Sequence, residues 1–294
     1  MELTKFVCFV YNLRGQSPVK HMQIFDTHAH YFDRRFENEA EGGSDAILSR
    51  IMPDPVYRVI NVGTNCQNAH LAIAQAARYE GMYAAVGIHP EDCHYITNEN
   101  AALDELCAIL GDRESRKRDK LVALGEIGLD YHYENYGEIP MDKAKQARFF
   151  EAQMELAREL DLPVIIHDRE AHGDCFETVL RHPEVRGVFH SYSGSADMAR
   201  ELVRRGWYIS FSGTLTFKNA NRVREAARAV PRDRLLIETD APYLAPHPHR
   251  GKLNHSGLLV HTVDTLAEIW DCSPEKATEI TAQNAETLFF SSGI

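Results

Sequence analysis

Residues 24 to 30 read Ile-Phe-Asp-Thr-His-Ala-His, an apolar run that stops at two histidines two residues apart. On an extended strand, residues i and i+2 project from one face, so His28 and His30 point together into whatever space that face encloses. Two neutral imidazoles converging on one point suit a divalent metal. For an isolated pair, satisfied core or solvent-exposed histidines are the competing reading, so the rest of the chain has to decide.

The same arrangement recurs. Short apolar runs are followed by Gly87-Ile88-His89-Pro90, by Gly125-Glu126-Ile127-Gly128-Leu129-Asp130 and by His167-Asp168-Arg169. Later runs lead into His190-Ser191-Tyr192-Ser193-Gly194, Ser212-Gly213-Thr214 and Glu238-Thr239-Asp240-Ala241-Pro242. With His28 and His30, these places carry at least four histidines, a glutamate and an aspartate that would converge if the run ends met. Imidazole with carboxylate suits Zn²⁺ or Mn²⁺, and Mg²⁺ where oxygens predominate.

The elements that must position these residues are legible in the pattern. Eight β-branched or apolar runs occur: Ile24–Thr27, Tyr57–Val62, Met82–Val86, Leu121–Leu124, Leu162–Ile166, Val185–Phe189, Trp207–Phe211 and Leu235–Ile237. Helical periodicity fills the intervals, most clearly over Ala144–Leu160, where Phe149, Phe150, Gln153, Met154, Leu156, Ala157 and Leu160 recur at three- and four-residue steps. Alternating strands and helices imply parallel βαβ units, and eight of them close into a TIM-type (β/α)₈ barrel whose strand ends share one mouth. A doubly wound open sheet is the alternative, disfavoured because no glycine-rich phosphate loop follows the first run. No linker splits the chain, so residues 22–294 read as one domain. Terminal helices are expected over Leu258–Trp270 and, after a Ser273-Pro274-Glu275 cap, over Lys276–Phe290.

Composition narrows the function. At 294 residues and 44% hydrophobic content the chain can bury a large core, and its net charge of −11 argues against coating long nucleic acid. A local phosphate site remains compatible with that charge, because bound cations would dominate the field there. Cys8, Cys66, Cys93, Cys107, Cys175 and Cys272 show no paired spacing and read as reduced thiols. No run is long enough to span a membrane, and the apolar Phe6–Tyr11 behind Lys5 is too short for a secretion signal, so a cytoplasmic location is expected.

From about Met22 to Phe290 the chain resembles the TatD family of metal-dependent hydrolases, within the amidohydrolase-like barrels. The motifs that carry the resemblance are Phe25 to His30, Gly87 to Pro90, Leu124 to Tyr131, Pro163 to Arg169, His190 to Gly194, Glu238 to Leu244, and Arg250-Gly251-Lys252-Leu253-Asn254 as an RGxxN. The resemblance implies a two-metal nuclease or phosphodiesterase, often a 3′-to-5′ exonuclease, acting on a DNA end or a small phosphodiester. It implies that His28, His30, Glu126 and Asp240 hold one divalent ion (Zn, Mn or Mg). It implies also that Glu126 bridges to a second, completed by His167 and His190. Asp240 could additionally accept the proton of the attacking water as general base.

His89, Arg169, Arg250 and Lys252 are candidate substrate contacts, the arginines as planar forks or guides for phosphate. A strand-ending turn at His89-Pro90, a surface ion pair at Arg169 and a solvated basic loop are the bland alternatives. His132, Tyr131, Tyr133 and Tyr136 could stack on bases or merely cover the rim. The chain departs from the family pattern at Asn254-His255-Ser256, where the family usually has proline two residues after the asparagine, and at residues 1–21, an extension expected to be dispensable. A barrel hydrolase of amide, ester or lactone bonds and a noncatalytic metal-binding scaffold are the other classes in view. No obligate protein partner is indicated.

Overall fold

The computed structural model describes residues 22–291. The expected extension at residues 1–21 and the last three residues of the expected domain lie outside the described residues.

Eight parallel strands form one sheet in chain order: β1 Ile24–Ala29, β2 Val56–Gly63, β3 Met82–Val86, β4 Leu121–Asp130, β5 Val164–Arg169, β6 Gly187–Phe189, β7 Tyr208–Phe211 and β8 Leu235–Ile237. Each expected run is a strand, and the architecture is the (β/α)₈ barrel. β2, β3 and β4 are almost wholly buried, which is why their sequences run continuously apolar instead of alternating.

Three strands run two or more residues beyond the ends expected from sequence. β1 continues through His28, β4 through all of Gly125–Asp130, and β5 through Arg169, so these three motifs are the last rungs of strands, whereas those at His89, His190, Ser212 and Glu238 follow the strand ends. Polar residues there defeat an apolar-run criterion, yet parallel pairing of Gly128 with His167 and Asp130 with Arg169 keeps the strands going. A small hairpin, Asn135–Tyr136 with Ile139–Pro140, follows β4 and was not anticipated.

The barrel is closed by side chains as much as by backbone. His30 N donates to Ala241 O at 2.7 Å and Asp240 N donates to His28 O at 2.9 Å, while Thr27 Oγ1 reaches Ile237 O at 3.0 Å. The buried Asp26 carboxylate accepts Thr239 N at 2.9 Å, Thr239 Oγ1 at 2.6 Å and Ser256 Oγ at 2.6 Å. Ser256, at the point of departure from the family loop, is therefore part of the closure.

Helix Lys143–Leu160 matches the periodic set, burying Phe149, Phe150, Gln153, Met154 and Ala157 beneath an Asp142 cap. Its buried glutamines serve the strands: Gln146 Oε1 accepts from Asp130 N, and Gln153 bonds both Ile88 N and Ile88 O. The last two helices run over Leu259–Trp270 and Pro274–Phe290, the second capped by Ser273. Leu288 and Phe289 pack with Phe25, Ile60 and Leu236 inside the barrel, at the end away from the histidines. Cys66, Cys93, Cys107, Cys175 and Cys272 are free thiols, and no helix among the described residues is long and apolar enough to cross a membrane.

Candidate active site

Strand pleating delivers the first pair as the sequence predicts: His28 Nε2 and His30 Nε2 lie 3.1 Å apart. The other donors come from across the barrel. Glu126 Oε2 lies 3.3 Å from His28 Nε2 and 3.7 Å from His30 Nε2, and Asp240 Oδ1 lies 3.8 Å and 3.4 Å from the same two atoms. Ligand atoms around a tetrahedral cation at about 2.0–2.1 Å stand roughly 3.3 Å apart, so this quartet has the spacing of a metal cage.

The other oxygen of the same carboxylate faces a second group. Glu126 Oε1 is 2.7 Å from His167 Nδ1 and 2.7 Å from His190 Nε2, which are 3.2 Å from each other, with His89 Nε2 3.4 Å away. Glu126 thus has one oxygen in each cluster. The second cluster, like the first, brings four protein donors together, with Glu126 common to both.

Three of the four ligand-type histidines are oriented through their far nitrogen. His30 Nδ1 lies 2.6 Å from Val62 O, His167 Nε2 3.0 Å from Asp130 Oδ2, and His190 Nδ1 3.1 Å from Glu238 Oε1. Such partners fix the ring and its tautomer and are typical of metal-binding imidazoles. The fourth, His28 Nδ1, is buried without a partner. Asp130, Glu238 and Asp26 are the functional residues missing from the candidates drawn from sequence. Their signal was present, because each sits inside a motif already singled out.

Backbone geometry is adapted to the task. Gly128 has φ +139°, and a Cβ there would lie 2.0 Å from His167 O, so only glycine lets β4 and β5 approach closely enough to set His167 on Glu126. Asp240 occupies the left-handed region at φ 59°, uncommon for a residue with a side chain and frequent at functional sites. Asn254 braces that turn, its Nδ2 donating to Thr239 O at 2.9 Å and Tyr243 O at 2.7 Å.

The cluster polarises itself strongly. Burial resists ionisation of Glu126, but His190, His89, His28 and His167 prevail and hold it well below the ordinary carboxylate range. Burial likewise opposes charge on His190, which Glu126 and Glu238 nevertheless raise well above the usual imidazole value. His167 is pushed up to about 9 against burial by Asp130 and Glu126. For His28 burial wins, reinforced by neighbouring His190, and its value is lowered. Negative carboxylates beneath a crowd of imidazoles attract positive charge to this spot.

A cavity of about 710 Å³ opens over the cluster and is lined by His30, His89, Glu126, His167, His190 and Asp240. Arg169 also lines it, half-exposed at the rim. Arg250 and Lys252 are not among the lining residues: Arg250 rests over the Phe217 ring at 4.5 Å, and Lys252 is exposed in the same loop.

Comparison with known proteins agrees with this geometry. The family model of TatD related DNase matches residues 25–290. The chain belongs to the TatD family. Among its TatD relatives, it is 37% identical over 270 residues to the metal-dependent hydrolase YabD of Bacillus subtilis, covering 90% of this chain and 98% of the relative. It is 33% identical over 271 residues to the metal-dependent hydrolase YcfH of Escherichia coli K12, covering 91% and 96%. The crystal structure of YJJV, a TatD homologue from E. coli K12, superposes with a TM-score of 0.80 at 29% identity, covering 90% of this chain and 97% of that one. The protein is accordingly a metal-dependent hydrolase of the TatD family.

Proposed function

We propose that the protein hydrolyses phosphodiester bonds at DNA ends, as a 3′-to-5′ exonuclease that uses two divalent ions. The observation that carries this reading is the placement of Glu126, whose two carboxylate oxygens each face a separate group of imidazoles. Two ions bound a few Å apart supply Lewis acidity, a water of lowered pKa, and charge at both the attacking and leaving oxygens.

The chain's own residues do the rest. His28, His30, Glu126 and Asp240 would hold one ion, and Glu126, His167 and His190 the other. Asp240, which lines the cavity beside His30, is placed to take the proton of the attacking water. His89 and Arg169, on one side of the cavity, offer donors to the phosphate oxygens that the ions leave free. Arg250 and Lys252 would act at longer range, drawing an anionic strand towards the mouth.

A 3′-labelled single-stranded DNA, incubated with Mg²⁺, Mn²⁺ or Zn²⁺ and with chelator, tests the reading. The expected result is metal-dependent release of the label as the 3′-terminal nucleotide, with no labelled product of greater length, abolished by chelator and by Glu126→Ala. Hydrolysis of amide, ester or lactone substrates with intact DNA throughout would overturn it.

A further inference from the structure

Two large aromatic side chains stand exposed in the wall of the cavity: Tyr133 at 44% and Tyr243 at 43%. They sit in the loops that follow β4 and β8, which are diametrically opposite in an eight-stranded closed barrel. The Glu126-centred cluster lies between those loops. Each ring carries an arginine from the neighbouring unit: Arg169 is the last residue of β5, and Arg35 lies in the helix Arg34–Glu39 that follows β1. Arg169 stands 5.1 Å from the Tyr133 centroid and Arg35 stands 5.4 Å from that of Tyr243.

The surrounding contacts hold both rings in place without covering them. Tyr133 packs edge-on against His132 at 4.7 Å and Tyr136 at 6.1 Å. The Tyr243 hydroxyl donates to Asp33 Oδ2 at 2.7 Å. The other tyrosines near the rim have different tasks. Tyr136 is buried and stacks on His94 at 4.3 Å, and Tyr131 donates to Asp174 Oδ2 at 2.7 Å.

We propose that Tyr133 and Tyr243 are base-stacking platforms, one on each side of the bond that is cut, and that they select an unpaired strand with a base on both flanks of that phosphate. Exposed aromatics beside a cationic group are the usual means of holding single-stranded nucleic acid, since every base offers a π-face. Arg169 backs one platform and lies within 4.0 Å of Asp130, the carboxylate partner of His167, so base and phosphate contacts adjoin on that side. Bases in a duplex are already stacked and paired and cannot reach two opposite walls at once. This inference rests on the phosphodiesterase reading and goes beyond it by naming what the rim recognises.

The test compares an all-deoxy single-stranded oligonucleotide with one carrying abasic sugars at the two 3′-terminal positions, which keeps the phosphates and removes the bases. The metal-loaded full chain is used, and kcat/KM is read for both substrates in wild type, Tyr133→Ala, Tyr133→Phe, Tyr243→Ala and Tyr243→Phe. Wild type is expected to prefer the intact strand by about tenfold or more, mainly through KM. In each alanine variant the ratio falls towards one, and each phenylalanine variant keeps it. Because the readout is a ratio within one variant, partial misfolding does not imitate the result. Equal rates on both substrates in wild type, or alanine variants that lose both activities while keeping the ratio, overturn the platforms and leave the phosphodiesterase reading standing. Failure of wild type to cut either substrate overturns the phosphodiesterase reading and the platforms with it.

Discussion

Asp26 on the first strand and Thr239 just beyond the last are joined by two hydrogen bonds, at 2.9 Å to the Thr239 amide and 2.6 Å to its hydroxyl. This link fastens the seam two residues before His28 and one before Asp240, so it sets the register between donors from opposite ends of the chain. Removing the carboxylate leaves the Thr239 and His28 amides without their acceptor and takes the shortest hydrogen bond from the Thr239 and Ser256 hydroxyls. Each buried orphan costs about 1–3 kcal/mol. Asp26→Ala is therefore expected to lose at least about 3 kcal/mol in urea unfolding and to bind metal more weakly. Asp26→Asn keeps an acceptor for the amides and should lose less. Equal stability of all three proteins would contradict this role for the seam.

Glu238 and Asp130 hold His190 and His167, and would act on a bound metal through them. Glu238→Gln and Asp130→Asn, which preserve shape, are expected to lower metal affinity about 10- to 100-fold. Competition against a fluorescent chelator measures this, with circular dichroism to show the fold retained. Unchanged affinity in both variants would mean that His190 and His167 need no such support.

Gly128 is a steric requirement for the site. Its replacement by alanine forces a Cβ towards His167 O, where the gap is 2.0 Å. Strands must separate, at a cost of about 1–3 kcal/mol in stability, and His167 shifts relative to Glu126. A displacement of about 1 Å at a reacting centre can cost on the order of 100-fold in rate. Gly128→Ala is thus expected to show a modest fall in Tm and a much larger fall in kcat. Wild-type kcat at this position would refute the close-approach argument.

His255 makes stability depend on pH. Burial, with help from Arg50 and His249, lowers it from the ordinary 6.5 to about 4. The folded value lies below the unfolded one, so the unfolded chain binds the extra proton between them. The stability tied to neutral His255 is fully present above pH 6.5 and is lost as pH falls towards 4. His255→Gln removes this titration. Urea midpoints measured from pH 7 to 4 should show wild type losing ground to the variant across that window, and parallel curves would contradict the assignment.

Much of this was legible from sequence because barrel chemistry is local to strand ends. The eight runs, the His28–His30 face and the helix over residues 143–160 each follow from periodicity alone. What the sequence hid were contacts made through the third dimension. Nothing about Asp130 by itself says that it meets the far nitrogen of His167, nor about Asp26 that it meets Thr239, 213 residues away. Strand length was also underestimated, since the buried Glu126 and the partly buried His167 are polar rungs that are satisfied by one another and not by apolar neighbours. Ser256 falls in the same class: its hydroxyl closes the seam at a position where the local pattern suggested only an altered loop.

On the proposed reading Glu126 would join two metal sites into one active centre. Adding Mn²⁺ in steps to metal-free protein, while following DNA hydrolysis and bound metal in wild type and Glu126→Gln, tests it most directly. Activity is expected to saturate only at two equivalents per chain, and the variant neither to retain two ions nor to turn over. Full activity at one equivalent, or a Glu126→Gln protein that holds two ions and cleaves DNA like wild type, would contradict it.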